Sequence, residues 1–287
     1  MTSSSDKIAF QGQHGAYSDL ACRTLYPDLV TLPCDTFEAA IDAVLDGTAA
    51  LAMLPTENSL AGRVPDMHAL LPESGLSIIG EFFLRIEHCL IGTPTATEQG
   101  IRRVHSHSVA LGQIRSLIRE LGALPVVEAD TAGAAEIIAG LNNPEDAAIA
   151  SALAAELHGL KILRHNVEDA AHNTTRFYVM AKTPRLQPRG APNLMTTFVF
   201  RVRNVPAALY KALGGFATNG VNMTKLESYM VDGNFSATEF YADVDGHPED
   251  GSLAFALEEL KFFSREFRIL GVYPAHPFRA TFSEKAE

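Results

Sequence analysis

The chain has 287 residues, of which 47% are hydrophobic and 20% charged, and its formal net charge is −11. This length predicts two domains, and the composition is that of a globular protein rather than a disordered one. The negative charge disfavours a nucleic-acid partner, and no apolar run is long enough to predict a membrane span. The three cysteines lack a paired spacing and residues 1–7 lack an export signal, so a cytoplasmic location is expected.

Short β-rich runs alternate with helical periodicity in the first 181 residues. Strands are predicted at residues 8–10, 50–54, 78–79, 104–105, 126–127, 147–150 and 177–180. Thr36 and Gly47 predict the start and end of one helix, Gly122 predicts the end of a second, and Ser151 predicts the start of a third. This alternation predicts an α/β domain with a largely parallel sheet.

A change of composition follows at residues 182–193, where prolines and a glycine exclude a helix or a central strand and predict a linker. Further strands are predicted at 197–202, 221–231, 235–244 and 269–273, with a hairpin turn at 232–234, a helix from Pro206 to Asn219-Gly220 and another over 253–260. The order is the ferredoxin-like βαββαβ over residues 194–275, followed by a tail at 276–287.

Polar residues follow several of the predicted strands, at the positions where open α/β sheets bind ligands. The glycines of residues 12–18 can present backbone amides to an anion, although a tight turn also needs glycine for its geometry. Glu57, Asn58 and Ser59 can hydrogen bond a substrate or merely cap a turn. Ser106 and His107 follow another strand, with Gln113 two helical turns later, and lone histidines at such places are more often structural.

No His or Cys pair has the spacing of a metal site, and no serine lies in a nucleophile elbow. We therefore expect neither a metal nor another cofactor.

Residues 172–177 read His-Asn-Thr-Thr-Arg-Phe and place an amide, two hydroxyls and a guanidinium where a strand begins. The segment is either part of a ligand site or only a well-hydrogen-bonded start of a strand. Because neighbouring residues of a strand face opposite sides, Thr175 and Arg176 can reach one ligand only if the strand has not yet straightened. The role of Arg176, substrate contact or structural, is left open.

Several segments, in this order, resemble prephenate dehydratase with a C-terminal ACT regulatory domain. They are Thr-Glu-Asn-Ser-x-x-Gly at 56–62, Ser-His at 106–107 with Gln113, Asn-Thr-Thr-Arg-Phe at 173–177 and Asn-Met-Thr-Lys-Leu-Glu-Ser at 222–228. The resemblance covers the chain from residue 8 to about 274. It implies a catalytic region at 1–181 whose two lobes are similar to periplasmic binding proteins. Lobe one would take about 1–78 plus 175–181, lobe two about 79–170, and the substrate would lie in the cleft between them.

The resemblance implies the conversion of prephenate to phenylpyruvate in L-phenylalanine biosynthesis. Thr175 would be the proton donor, acting through an oriented hydrogen-bond network because a threonine hydroxyl is a very weak acid. The residues that would bind substrate are Gly15, Ala16, Tyr17, Ser18, Glu57, Asn58, Ser59, Ser106, His107, Gln113, Asn173, Thr174, Arg176 and Phe177.

The C-terminal resemblance implies feedback inhibition by L-phenylalanine through the ACT domain, and a homodimer or homotetramer. The effector residues would be Asn204, Ala207, Ala208, Leu209, Tyr210, Asn222, Leu226, Glu227 and Ser228.

The sequence departs from the family pattern at both sites. The usual Ser-His-Pro-Gln has Ser108 and Val109 at its last two positions, which leaves Gln113 as the glutamine that can contact substrate. The usual Gly-Ala-Leu begins with Ala207, and the usual Glu-Ser-Arg-Pro ends with Tyr229 and Met230, so phenylalanine regulation is left open. Arogenate dehydratase and a non-catalytic sensor of an aromatic acid are the alternative functions.

Overall fold

The computed structural model describes residues 6–203, 205–230 and 237–283. Within these ranges no helix has both the length and the apolar character needed to cross a bilayer. The chain divides into two compact units. Unit 1 consists of Met1–Val64 and Phe83–Phe177, and unit 2 consists of Pro65–Phe82 and Tyr178–Glu287.

The first part of the chain contains, in order, β1 (Lys7–Gln11), α1 (Tyr17–Leu25), β2 (Val30–Cys34), α2 (Phe37–Leu45), β3 (Leu51–Asn58), β4 (Gly62–Arg63), α3 (Pro65–Glu73), β5 (Ser77–Arg85), β6 (Cys89–Gly92), β7 (Arg103–His107), α4 (Ser108–Gly112), α5 (Arg115–Leu121), β8 (Leu124–Glu128), α6 (Thr131–Leu141), β9 (Asp146–Ala150), α7 (Ala152–Leu157), β10 (Lys161–Arg164) and β11 (Thr174–Ala181). After residues 182–193, which contain no helix or strand, follow β12 (Leu194–Val202), α8 (Ala208–Thr218), β13 (Met223–Met230), β14 (Ala237–Asp245), α9 (Gly251–Phe263), β15 (Ser264–Pro274) and α10 (Ala280–Ser283).

Unit 1 is built on two sheets. In the first, β1 pairs in parallel with β2 and β3, and β3 neighbours β11. The second has the order β10-β6-β9-β7-β8, in which β7 is parallel to β8 and β9 while β6 is antiparallel to β9 and β10. Helices bury apolar clusters against this sheet, as in other α/β folds. The α/β class is confirmed, whereas the short strands β2, β6 and β10 were missed because each gives only a brief apolar run.

Helix ends in unit 1 follow the capping residues that the sequence predicts. The Thr36 hydroxyl accepts a hydrogen bond from the Ala39 amide at 3.1 Å, and the Ser151 hydroxyl accepts one from the Ala154 amide at 3.0 Å. Gly122 ends α5 with a left-handed φ of 60°. These three predictions are confirmed.

The C-terminal module of unit 2 has the predicted βαββαβ order. Its strands are arranged β13-β14-β12-β15, with all three pairings antiparallel. Its core includes Phe198, Phe200, Phe216 and Leu257. Two details differ from the prediction: α8 begins at Ala208 rather than at Pro206, and β15 begins at Ser264 because its first residues already pair with β12. The predicted turn at 232–234 lies outside the described residues.

The division of the chain between units also differs from the predicted lobes. Residues 65–82, assigned to the two lobes from the sequence, belong to unit 2, and the second sheet of unit 1 begins only at β6. Within unit 2, Ile78 of β5 pairs with Gly271 of β15. A Cβ at Gly271 would lie 2.2 Å from the Ile78 carbonyl oxygen, so this pairing requires glycine.

Candidate active site

The candidate site lies in unit 1, where β3 ends and β11 begins. The Asn58 carboxamide has a fixed orientation because its Oδ1 accepts hydrogen bonds from the amides of Leu60 at 3.0 Å and Ala61 at 2.8 Å. Its Nδ2 therefore donates to Asn173 Oδ1 at 2.8 Å and to Thr175 Oγ1 at 3.0 Å. Since the Thr175 oxygen is the acceptor in this bond, its own hydrogen can be donated to a ligand.

The same directional argument continues from Asn173, which is fully buried. Because its Oδ1 is an acceptor, its Nδ2 is the donor to Gln113 Oε1 at 3.0 Å. The same Gln113 oxygen lies 2.8 Å from His88 Nε2, so Nε2 carries the imidazole hydrogen. His88 Nδ1 then accepts from the Tyr17 hydroxyl at 2.7 Å, with the Glu87 carbonyl oxygen as a secondary acceptor at 3.1 Å.

These contacts form one continuous series, which we call the amide chain. It consists of Tyr17, His88, Gln113, Asn173, Asn58 and Thr175. Every bond in it has a defined donor because the backbone amides of Leu60 and Ala61 fix its Asn58 end. The amide chain therefore determines which groups can donate to a bound molecule.

The protonation states of His88 and Tyr17 agree with this direction of hydrogen-bond donation along the amide chain. Burial lowers the pKa of His88 below its ordinary value, although the bond to Gln113 and the nearby Glu168 carboxylate act to raise it. Burial raises the pKa of Tyr17 well above its ordinary value, as do nearby Cys89 and Glu168. At neutral pH His88 is thus an uncharged imidazole and Tyr17 an uncharged phenol, as the hydrogen bonds require.

A cavity of about 440 Å³ adjoins the amide chain. It is lined by Leu60, Ala61, Val109, Gly112, Gln113, Asp169 and Ala170. The cavity contacts the amide chain at Gln113 and at the turn of Leu60 and Ala61 that orients Asn58. Its volume is within the range of cavities that bind small organic molecules.

Arg176 and Glu57 form an ion pair instead of facing this cavity. The Arg176 side chain is 3% exposed, its Nη1 donates to Glu57 Oε1 at 2.9 Å, and its guanidinium lies 5.8 Å from the centre of the Phe83 ring. Strand alternation places it on the face opposite Thr175. Phe177 is also buried, at 1% exposure. In this structure these three residues support β11 and its neighbours, and their assignment as substrate ligands stays a prediction.

Three other predicted ligands hold backbone groups. The Ser59 hydroxyl accepts from the Thr174 amide at 3.0 Å and donates to the His172 carbonyl at 2.7 Å, which clamps the start of β11. Ser106 is fully buried and donates to the Ile149 carbonyl at 2.7 Å. His107 caps α4 by accepting from the Val109 amide at 3.3 Å. The structural alternative therefore accounts for the contacts of these side chains.

Gly15, in the loop before α1, makes packing contacts. The Gly15 amide donates to Asp19 Oδ2 at 2.9 Å, and its carbonyl accepts from the Ser151 hydroxyl at 2.6 Å. A Cβ at Gly15 would lie 2.9 Å from Ala154 Cα, and its φ of 90° also favours glycine. Ala16 precedes the first turn of α1 and Ser18 is buried. Of the predicted loop ligands, only Tyr17 joins the amide chain.

The predicted effector residues occupy the start of α8 and the edge strand β13. Ala207 has a left-handed φ of 60°, while Ala208 and Leu209 pack into the core of the module. Tyr210 is 81% exposed. Asn222 donates to Asp245 Oδ2 at 2.8 Å. On β13, Leu226 is 39% exposed, Glu227 lies 3.5 Å from Lys225, and Ser228 pairs with Phe240. Asn204 lies outside the described residues.

Sequence reasoning missed His88, which connects Tyr17 to Gln113. It precedes a short strand and belongs to no motif, so its partners become visible only when the chain is folded. In the part of the chain that the structure describes, no group of three or more His, Cys, Asp and Glu side chains could hold a metal ion.

Comparison with known proteins adds to this geometry. The family described as prephenate dehydratase matches residues 8–185. The chain belongs to the prephenate dehydratase family. It is 64% identical to the bifunctional N-acyl-homoserine lactone acylase/prephenate dehydratase of Komagataeibacter europaeus, over 95% of this chain and 97% of that protein. It is 39% identical to arogenate dehydratase 1 of Petunia hybrida, over 96% of this chain and 68% of that protein.

Solved structures of this prephenate dehydratase family have the same fold. Prephenate dehydratase from Arthrobacter aurescens in complex with L-Phe is similar with a TM-score of 0.85 and 29% identity, covering 98% of this chain and 97% of that one. A structure described as a novel type of quorum quenching acylase gives a TM-score of 0.90 and 63% identity, covering 95% and 99%. The resemblance to prephenate dehydratase inferred from the sequence motifs is confirmed.

Proposed function

We propose that this protein catalyses the decarboxylating dehydration of prephenate to phenylpyruvate. The observation that carries the proposal is the direction of the Asn58–Thr175 hydrogen bond, in which Thr175 Oγ1 is the acceptor at 3.0 Å. Because the Thr175 hydrogen is not used in that bond, it can be donated to the ring hydroxyl that leaves. The ring carboxylate leaves as carbon dioxide, its bonding electrons enter the new aromatic ring, and the departing hydroxyl takes the Thr175 proton to become water. Thr175 then recovers a proton from solvent.

A threonine hydroxyl is too weak an acid to drive this step by acidity alone. Aromatisation supplies the driving force, so the enzyme has to orient the substrate and stabilise charge on the departing oxygen. Donation from Asn58 Nδ2 to Thr175 Oγ1 polarises the hydroxyl and makes it a better donor. A pre-oriented neutral donor of this kind needs no reorganisation during the reaction.

The test is to supply the purified protein with prephenate and measure phenylpyruvate. Thr175→Val keeps the size and branching of the side chain but removes the hydroxyl, and we expect turnover to fall by about 100-fold or more. Thr174→Val is the comparison variant, because the Thr174 backbone, rather than its hydroxyl, makes the contacts to Ser59. A larger loss in Thr174→Val than in Thr175→Val would refute the choice of donor.

Arogenate is the alternative substrate, supported by the 39% identity to arogenate dehydratase 1. It carries an amino group where prephenate has a keto oxygen, and its product would be phenylalanine. Both substrates assayed side by side under the same conditions determine the preference. Binding of either one without product formation would favour the sensor function.

A second activity is suggested by the acylase in the name of the relative that is 64% identical. We propose hydrolysis of the amide bond of N-acyl-homoserine lactones as that activity. Release of free homoserine lactone measures it directly. If Thr175→Val retains the acylase activity but loses dehydratase activity, the two reactions use different groups.

We also propose that L-phenylalanine binds the βαββαβ module as a feedback inhibitor and that the protein is a homodimer or homotetramer. The L-Phe complex of the Arthrobacter aurescens relative, aligned over 98% of this chain, supports an effector of this class. Calorimetric titration with phenylalanine, with activity measured in parallel, tests the inhibition. Sedimentation equilibrium tests the assembly. A cytoplasmic location stays a prediction.

A further inference from the structure

Gln113 is the residue of the amide chain that lines the cavity. Its Oε1 accepts from Asn173 Nδ2 at 3.0 Å and from His88 Nε2 at 2.8 Å. Since both of these contacts use the oxygen, the NH₂ group is left for a bound molecule. A carboxylate or carbonyl oxygen of the substrate is the acceptor that such a group fits.

The orientation of Gln113 depends on which nitrogen of His88 carries the hydrogen. With the hydrogen on Nε2, His88 donates to Gln113 Oε1. With the hydrogen on Nδ1, a lone pair would face that oxygen, and Gln113 would gain by turning its NH₂ group toward His88 and away from the cavity. Asn173 Nδ2 opposes that turn because it also donates to Gln113 Oε1, so the first tautomer is favoured, and the Tyr17 hydroxyl, 2.7 Å from Nδ1, then donates to that nitrogen.

The other groups facing His88 leave this arrangement intact. The Tyr17 ring meets the His88 ring edge-on, with centroids 5.5 Å apart. Glu168 Oε2 accepts from the His88 backbone amide at 2.9 Å, and Glu168 Oε1 is paired with Arg85 at 2.6 Å. Glu168 favours protonation of the imidazole and Arg85 opposes it. Glu87 contributes its carbonyl oxygen through Tyr17.

We propose that His88 and Tyr17 are positioning residues for the dehydratase reaction: Tyr17 reinforces the tautomer of His88 that the Asn58 end of the amide chain sets, and His88 helps to hold the Gln113 NH₂ group toward the substrate. Neither side chain touches the substrate in this scheme. Tyr17, assigned from the family resemblance as a substrate ligand, instead acts through His88 and Gln113. The inference rests on the proposed function.

Replacing His88 tests the donor. His88→Gln can place an amide NH₂ near the position of Nε2, so we expect kcat/KM within about threefold of wild type. His88→Leu keeps the volume but has no donor, and we expect a loss of about tenfold, which corresponds to about 1.4 kcal/mol. His105→Leu is the matched control, because His105 is also buried in unit 1, contacting Glu128 at 2.8 Å and Asp146 at 3.3 Å outside the amide chain. It should lose stability but keep kcat/KM in the folded fraction.

Tyr17→Phe tests the tautomer. This variant keeps the ring contact and removes only the hydroxyl, so the Asn58 end of the amide chain alone holds the hydrogen on Nε2, and a larger share of neutral His88 adopts the other tautomer. We expect a deficit in kcat/KM of about threefold or more above pH 7, which shrinks as the pH falls, since a protonated imidazole donates from Nε2 in every molecule. A purely structural loss would not shrink on acidification. NMR of histidine-labelled protein reads the tautomer without any substrate and should show hydrogen on Nε2 in wild type.

The outcomes separate this inference from the proposed function. A wild-type protein that makes no product from prephenate or arogenate refutes the function, and with it the catalytic role of His88. An active wild type with His88→Leu unimpaired, or with His88→Gln as impaired as His88→Leu, overturns the positioning role alone. If His88→Leu does not fold, His88→Gln and Tyr17→Phe still test the positioning role. A wild-type spectrum with hydrogen on Nδ1 contradicts the geometry in every case.

Discussion

Asn58→Asp should reverse the direction of the amide chain at almost constant side-chain size. The introduced carboxylate keeps the two bonds from the amides of Leu60 and Ala61, now to a charged acceptor. Its other oxygen, however, cannot donate to Asn173 or Thr175. Thr175 must then donate its hydrogen to this carboxylate, so it can no longer donate it to a substrate.

The reversal of hydrogen-bond direction should pass along the whole amide chain. Asn173 turns its NH₂ group toward the introduced carboxylate and its oxygen toward Gln113, Gln113 turns in response, and His88 moves its hydrogen to Nδ1. Each hydrogen bond is replaced by one of opposite direction, so the free energy of unfolding should change by no more than about 1 kcal/mol. Loss of a general acid reduces kcat by about 10²–10⁴-fold, so turnover should fall at least 100-fold.

Three measurements on Asn58→Asp test this account. Turnover of prephenate gives the catalytic loss, urea unfolding gives the stability, and NMR of labelled histidine gives the tautomer of His88. We expect low activity, near-normal stability and hydrogen on Nδ1. Wild-type turnover in this variant, or low activity with His88 still carrying its hydrogen on Nε2, would refute the reasoning.

The remaining predictions concern stability. Ala207→Gly should raise the free energy of unfolding in urea by about 1 kcal/mol, because Ala207 has a left-handed φ of 60°; no gain would mean that this conformation is unstrained. Arg176→Met should lower the free energy of unfolding by about 1–3 kcal/mol and leave KM unchanged. This range is below that of a fully buried ion pair because Glu57 is partly exposed. A raised KM would favour Arg176 as a substrate ligand. Wild-type stability should fall as the pH drops below about 6.5, since the lowered pKa of His88 lets the unfolded chain bind the proton first. Burial also lowers the pKa of His276, so the comparison of wild type with His88→Gln isolates the contribution of His88. If the free energy of unfolding depends on pH equally in both proteins, the prediction is contradicted.

Local sequence signals predicted what local physics determines. Thr36 and Ser151 begin helices and Gly122 ends one, by capping rules that involve only nearby residues. The βαββαβ order follows from short-range periodicity in the same way. The motif at 172–177 also identified the Asn173 and Thr175 side chains that the structure brings to Asn58.

Long-range pairing could not be predicted from these signals. His88 lies 71 residues from Tyr17 and 25 from Gln113, and no spacing rule connects them. Strand alternation raised the question of which way Arg176 points, but only its contact with Glu57, 119 residues away, answers it. Ala207 has a glycine-like backbone conformation that its residue type does not predict.

The central claim is that the Thr175 hydroxyl donates to the group that leaves the substrate. The most direct test compares Thr175→Ser, which keeps a hydroxyl, with Thr175→Val, which keeps the shape, by measuring phenylpyruvate formed from prephenate. We predict that Thr175→Ser retains turnover within about tenfold of wild type and that Thr175→Val loses about 100-fold or more. Turnover by Thr175→Val equal to that of Thr175→Ser would contradict the account.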